Sequence, residues 1–147
     1  MRETLTVTLR NAVDAIPAAS DSADAWLEAH RGSPAARLLV ALAIEELVTN
    51  CIKYGYDDDR EHTIGLELVV TGGVLSMTMV DDGRAFDPLA TPRPDLSTPV
   101  DDRPVGGLGL HLLQELADRL TYERRDGTNR ITIVTRLDGT ASAPASS

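Results

Sequence analysis

The most informative stretch of the chain is Glu46-Leu-Val-Thr-Asn50-Cys-Ile-Lys53-Tyr54, which closes its most strongly periodic segment. Glu46, Asn50 and Lys53 are four and three residues apart, so a helix over about 34–54 places them on one face. A carboxylate, a carboxamide and an ammonium group then share one stripe of an otherwise apolar helix. Such a stripe is often only the solvated side of a helix, so the spacing alone leaves a surface and a site both open.

A second motif, Asp81-Asp-Gly83-Arg-Ala85, follows the apolar strand expected over Val74–Val80. A carboxylate that ends a buried strand can accept a hydrogen bond from an exocyclic amine. Gly83 would let the backbone come close to a ligand, because glycine has no Cβ. An ordinary turn after a strand has a similar sequence, so this motif alone does not identify a site.

A third motif, Gly106-Gly-Leu-Gly109-Leu110, leads into a predicted helix. The first turn of a helix presents free N–H groups and the positive end of the helix dipole, an arrangement suited to phosphate. The motif is not a P-loop, because no Gly-Lys-Ser/Thr follows. It is not the dinucleotide-binding fingerprint either, because Leu112 stands where the third glycine belongs. A simple helix entry through a tight turn is the alternative.

The composition argues against several classes of protein. The 147 residues suffice for one domain, and the net charge of −9 argues against nucleic-acid binding, which depends on basic side chains. Cys51 is the single cysteine, so no internal disulfide forms and a reducing compartment is expected. The longest strongly apolar run, Leu38–Ile44, is too short to cross a membrane, and the N-terminus shows no signal peptide. We therefore predict an acidic cytoplasmic protein without a membrane segment.

Residue patterning predicts five strands and three helices. Strands are expected where apolar and polar residues alternate: Thr4–Arg10, His62–Val70, Val74–Val80, Leu120–Arg124 and Asn129–Leu137. Helices are expected from a Ser20-Asp21-Ser22 cap to about Ala29, over about Pro34–Tyr54, and over about Leu108–Ala117. Residues 12–17 are predicted to be a connection, and Gly55 a left-handed helix cap.

This order of elements predicts an α+β fold, a two-layer sandwich in which helices cover one face of a mixed, mostly antiparallel sheet. The segment Asp87–Val105 is predicted to be a long loop because it is rich in proline, which cannot donate a ladder hydrogen bond. The domain is expected to span residues 1–137. Residues 138–147 are expected to form a disordered tail.

Together and in this order, the three motifs resemble the boxes of the Bergerat-fold, or histidine-kinase-like, ATPases. Glu46 and Asn50 match the N box, Asp81-Asp-Gly83 the first glycine box, and Gly107-Leu-Gly109 the second. The short length and Phe86-Asp-Pro narrow the resemblance to the anti-sigma-factor serine/threonine kinases. The likeness spans nearly everything from position 4 to position 137.

The resemblance implies a role for each matching residue, with ATP and Mg²⁺ as the bound groups. Glu46 would be the general base and Asn50 would hold Mg²⁺, while Lys53 would face the phosphates. Asp81 would accept a hydrogen bond from the adenine amino group. The remaining binding positions lie in the two glycine boxes: Gly83, Ala85, Gly107, Leu108, Gly109 and Leu110. The loop Asp87–Val105 would be the nucleotide lid.

Three functions follow from the resemblance. The first is a Mg-ATP-dependent kinase that phosphorylates an anti-anti-sigma (STAS-type) protein and controls a sigma factor by partner switching, with homodimerisation expected. The second is a nucleotide-binding interaction module without kinase activity. The third, the catalytic domain of a sensor kinase acting on histidine, is least favoured because the chain has no phosphoacceptor helix pair.

Overall fold

The computed structural model describes residues 2–90 and 107–140. In chain order its elements are β1 (Arg2–Arg10), α1 (Ile16–Ala29), α2 (Pro34–Tyr54), β2 (Thr63–Thr71), β3 (Val74–Asp81), α3 (Gly107–Leu116), β4 (Arg119–Arg125) and β5 (Thr128–Arg136). The predicted loop Asp87–Val105 lies outside the described residues from position 91 onward. The predicted tail lies outside them from position 141.

The strands form one sheet in the order β1-β2-β3-β5-β4, and all four neighbouring pairs are antiparallel. Two tight turns join β2 to β3 and β4 to β5. Their central residues have positive φ, at 58° and 79° for Gly72 and Gly73 and at 51° and 78° for Asp126 and Gly127. Positive φ at both positions suits the right-handed twist of the strands they connect. The predicted α+β class is confirmed, and within the described residues the sheet is antiparallel throughout.

The core lies between α1 and α2 and one face of the sheet. Alternate residues of the three central strands are buried there: Ile64, Leu66 and Leu68 on β2, Leu75, Met77 and Met79 on β3, and Ile131 and Ile133 on β5. Helix α2 packs Val40, Ile44 and Val48 against them, each at most 1% exposed. A slip of one residue would turn a strand's apolar side chains to the solvent, so this burial determines the register.

Helix α1 begins at Ile16, four residues before the predicted cap at Ser20, so the predicted connection over residues 12–17 is partly wrong. Pro17 lies in the first turn, where its missing N–H costs no helical hydrogen bond. The buried residues continue the helical spacing from this point, at Ile16, Ala19, Ala23 and Leu27. Proline was therefore a start signal here and not a break.

Gly55 ends α2 as predicted, but not in the predicted left-handed conformation, since its φ is −83°. Its N–H donates to the Cys51 carbonyl at 2.8 Å. A Cβ at this position would lie 2.6 Å from that same carbonyl oxygen. Close packing, and not backbone angle, therefore requires glycine here.

No helix in the described part of the chain is both long and apolar enough to cross a membrane.

Candidate functional site

A narrow cavity opens where α2 ends over the last residues of β3. Its lining comes from α2 and its cap, the end of β3 and the loop beyond it, and β5: Leu47, Asn50, Cys51, Gly55, Met79, Asp81, Arg84, Phe86, Asn129 and Ile131. Burial, together with the nearby charge of Asp81, raises the pKa of the Cys51 thiol to about 12, so this thiol stays neutral. The walls are mostly apolar, with a few polar groups placed among them, as is usual for small-molecule sites.

Asp81 is the last residue of β3 and is only 4% exposed. Its Oδ1 accepts hydrogen bonds from the Gly83 N–H at 2.9 Å and from Asn129 Nδ2 at 3.0 Å. Both amide donors use Oδ1, so the carboxylate of Asp81 keeps lone pairs for a further donor in the cavity that it lines. The structure thus places a fixed carboxylate where the sequence predicted an acceptor for an exocyclic amine.

Gly83 lies where no side chain fits. A Cβ built on it would be 2.6 Å from the Gly55 carbonyl oxygen and 3.0 Å from Asp81 Oδ1. The Arg84 N–H donates to the same Gly55 carbonyl at 2.8 Å, which ties the loop after β3 to the end of α2. Ala85, the next predicted binding residue, is exposed.

For the nucleotide that the sequence predicts as ligand, we expect Gly83→Ala to weaken binding at least tenfold, because the loop must shift away from Gly55 and carry Asp81 with it. Calorimetric titration with ATP measures the change. Gly65→Ala is the matched control, since a Cβ at Gly65 meets nothing closer than 4.0 Å. Equal affinities in the two variants would show that the contact at Gly83 does not position the site.

The predicted stripe on α2 divides into a buried part and an exposed part. Asn50 is 5% exposed, and its Nδ2 finds no hydrogen-bond partner among the described residues. Glu46, one turn earlier, is half-buried, and this burial raises the pKa of its carboxyl group. The negative charge of Glu45 raises the pKa further, and the positive charge of Lys53 lowers it. Lys53 is exposed in the last turn of the helix.

A buried amide with an unmet donor is costly unless a ligand supplies its partner. Asn50 therefore suits a polar ligand that enters beside it, such as a metal-bound phosphate chain. In the described part of the chain, no cluster of three or more His, Cys, Asp or Glu residues could hold a metal by itself. A metal at Asn50 would thus take most of its ligands from phosphate and water, as Mg²⁺ commonly does.

The first turn of α3 lies directly against Glu46. A Cβ built on Gly109 would overlap the carboxyl carbon and both carboxylate oxygens of Glu46. The first four N–H groups of a helix have no partner within the helix, and such a helix end is a common place for an anion to bind. The Leu110 side chain is 4% exposed and belongs to the core, so only its backbone can face a ligand. The surroundings of Gly107 and the side chain of Leu108 lie outside the described part of the structure.

Sequence reasoning missed Asn129 as a site residue and placed it simply in the last strand. It is 2% exposed and is paired in register with Asp81. Its Nδ2 donates to Asp81 Oδ1 at 3.0 Å and to the Arg84 carbonyl at 2.8 Å, and its Oδ1 accepts from the Tyr122 hydroxyl at 2.6 Å. A polar residue in step with buried isoleucines along β5 was the available signal.

Comparison with known proteins identifies the family. The model of the histidine kinase-like ATPase domain family matches residues 9–135. The serine/threonine-protein kinase BtrW of Bordetella bronchiseptica is 32% identical over 146 residues, covering 97% of this chain and 94% of that protein. The serine-protein kinase RsbW of Bacillus subtilis is 30% identical over 91 residues, covering 58% of this chain and 56% of that one.

A solved structure confirms the fold. The RsbU and RsbW domains of Rv1364c from Mycobacterium tuberculosis match 92% of this chain with a TM-score of 0.64 at 18% identity. This chain covers 32% of that longer protein. With a family model that spans most of its length and a relative that it matches almost end to end, the chain belongs to the histidine kinase-like ATPase domain family.

Proposed function

We propose that this protein is a cytoplasmic Mg-ATP-dependent kinase that phosphorylates a serine or threonine of an anti-anti-sigma protein. The observation that carries the proposal is the contact between Glu46 and the first turn of α3, one helical turn from Asn50 and the Asp81 cavity. A carboxylate able to act as a base thus lies beside a helix end able to bind phosphate. Phosphoryl transfer needs mainly positioning and charge neutralisation, and this arrangement offers both.

The adenine end of ATP would enter the cavity that Asp81 closes, and this narrow cavity would widen to admit the ring. Asp81 would accept a hydrogen bond from the amino group, and the apolar walls of Met79 and Ile131 would contact the ring. Gly83 lets the loop after β3 pack against Gly55, since a side chain there would meet the Gly55 carbonyl, and this packing keeps Asp81 at the cavity. The exclusion of water strengthens the hydrogen bond to the carboxylate.

The phosphate end would lie between α2 and α3. Asn50 would hold Mg²⁺ through its amide oxygen, and N–H groups of the first turn of α3 would bind phosphate oxygens. The bound ion would neutralise phosphate charge, which a protein of net charge −9 otherwise repels. Lys53 would add a positive charge at the exposed end of the same face.

Glu46 would act on the substrate hydroxyl. The serine or threonine oxygen forms a bond to the γ-phosphorus, its proton passes to the Glu46 carboxylate, and ADP leaves with the bond between the β- and γ-phosphates broken. The raised pKa of Glu46 makes its carboxylate a stronger base than an exposed glutamate. A nucleotide-binding module without kinase activity has no need of such a base beside the phosphate site.

Relatives named anti-sigma F factor support regulation by partner switching. One of them, from a Thermoanaerobacter strain, is 24% identical over 100 residues, covering 68% of this chain and 69% of that protein. We propose that an STAS-type antagonist and a sigma factor compete for this protein, that nucleotide and phosphorylation bias the competition, and that it forms a homodimer. The acidic net charge speaks against direct nucleic-acid contact.

The first test measures the effect of Asp81→Asn on ATP affinity by calorimetric titration in the presence of Mg²⁺. The two donors at Oδ1 would keep the new amide oxygen there, so the new NH₂ group would face the adenine amino group, donor against donor. We expect binding to weaken about tenfold to a hundredfold or more.

Asp82→Asn is the matched control, because Asp82 is the next residue and its side chain is 58% exposed. Unchanged affinity in Asp81→Asn would mean that ATP does not use this cavity. Labelled ATP and a candidate antagonist then test transfer: phosphoserine survives acid treatment, whereas an acid-labile product would point to histidine and overturn the proposed acceptor.

A further inference from the structure

The carboxamide of Asn129 joins three parts of the adenine cavity. Its Nδ2 donates to Asp81 Oδ1 at 3.0 Å, to the Arg84 carbonyl at 2.8 Å and, more weakly, to the Gly83 carbonyl at 3.5 Å. Its Oδ1 accepts from the Tyr122 hydroxyl at 2.6 Å and from the Phe86 N–H at 3.4 Å. One buried side chain on β5 thus holds both the acceptor carboxylate and the loop that follows it.

The orientation of this amide is determined by its neighbours. With the amide reversed, its NH₂ group would face the Phe86 N–H, and its oxygen would face the Asp81 carboxylate and the Arg84 carbonyl. In the reversed amide, a donor would thus face a donor and an acceptor would face an acceptor, which is costly in a buried place. The Tyr122 hydroxyl completes the favourable orientation from the neighbouring strand β4.

A fixed amide has a consequence for Asp81. Its Oδ1 is held by two donors, from Asn129 and from the Gly83 N–H, so the plane of the carboxylate is set before any ligand arrives. Oδ2 then offers only an acceptor to the cavity. An amino group at position 6 of a purine satisfies it, whereas a carbonyl oxygen at that position would face it acceptor against acceptor.

We propose that Asn129, held in place by Tyr122, is a positioning residue that makes the cavity selective for a 6-aminopurine. This inference rests on the proposed binding of ATP. Asn129 lines the cavity, whereas Tyr122 does not and would act on the nucleotide only through Asn129. Selectivity arises because the pair prevents Asp81 from rotating or withdrawing when a base without the amino group enters.

The test compares the affinity for ATP with that for purine riboside triphosphate, which lacks only the 6-amino group, by calorimetry with Mg²⁺. We expect the wild-type protein to prefer ATP about tenfold to a hundredfold, the effect of one hydrogen bond to a charged acceptor. Tyr122→Phe should reduce this preference severalfold, and Asn129→Leu should bring it close to one. In Tyr122→Phe, whose side chain is not part of the cavity lining, the affinity for purine riboside triphosphate should change by no more than about twofold.

Thr132→Val is the matched control. The Thr132 hydroxyl is paired with that of Thr78 at 2.9 Å on the opposite face of the same strand, so its loss removes a side-chain hydrogen bond outside the cavity. The preference should not change. Tyr122→Phe removes one oxygen atom only and keeps the ring, so the test does not depend on whether Asn129→Leu folds.

Two results would overturn the inference. If both nucleotides weaken equally in Tyr122→Phe and Asn129→Leu, the pair supports the structure in general and not the recognition of the amino group. If the preference stays at its wild-type value, the pair has no part in selectivity. A wild-type protein that binds neither nucleotide would overturn the proposed function as well, so the two failures are distinguishable.

Discussion

Replacing Glu46 by glutamine is expected to lower the rate of phosphoryl transfer about a hundredfold to ten-thousandfold, the usual contribution of a general base. Glutamine keeps the size of the side chain and its place against α3 but cannot take up the hydroxyl proton. ATP affinity should change by less than about threefold, because the proposed contacts to the adenine ring and to the triphosphate do not include the Glu46 carboxylate. Single-turnover transfer to the antagonist protein measures the first effect, and calorimetry measures the second.

The dependence of transfer on pH gives a second readout of the same group. A base works when it is deprotonated, so the rate should rise with pH through the pKa of Glu46 and level off above it. Burial and the charge of Glu45 both raise that pKa, so the rise should occur above the range of an exposed glutamate, about pH 4.3. Glu45→Gln is the matched control: transfer should persist, and the rise should move to lower pH.

Glu46→Gln with full transfer activity would remove Glu46 from the mechanism. If the rate of the Glu45→Gln variant rises with pH over the same range as that of the wild type, the group that titrates is not Glu46.

Local patterns were enough to predict most of the fold. Alternation of apolar and polar residues placed all five strands, because this signal depends only on a residue's immediate neighbours. The start of α1 was missed because Pro17 breaks a helix interior but suits its first turn. A proline inside a helix and a proline in its first turn differ only in whether helix or another conformation precedes the proline.

The site could be predicted only where its residues form local motifs. Glu46 and Asn50 share a helix face through their spacing, and Asp81 and Gly83 lie in one turn. Asn129 depends on pairing between β3 and β5, which lie 48 residues apart at this hydrogen bond, and no local pattern contains that information. The contact between Glu46 and Gly109 likewise arises only when α3 packs against α2.

Gly109→Ala is expected to abolish most phosphoryl transfer while leaving the fold intact. The new Cβ would overlap the carboxylate of Glu46, which is the far end of a flexible side chain and can rotate away at little cost. Alanine also favours the helix over glycine by about 0.5–1 kcal/mol, so thermal stability should fall little or not at all. The rate of transfer should fall about a hundredfold, because the base no longer lies where the hydroxyl must arrive.

The mechanism of this loss is tested by combining the two substitutions. If Gly109→Ala acts by displacing Glu46, then adding it to Glu46→Gln should reduce the residual rate little further, so the effects should be strongly non-additive. If the rate losses of the two single variants multiply in the double variant, the two substitutions act independently. Gly109→Ala would then act on phosphate binding, since a Cβ there would also crowd the first turn of α3. Calorimetry with ATP separates these cases, because displacement of the base leaves nucleotide affinity within about threefold, whereas crowding of the phosphate site weakens it in both backgrounds.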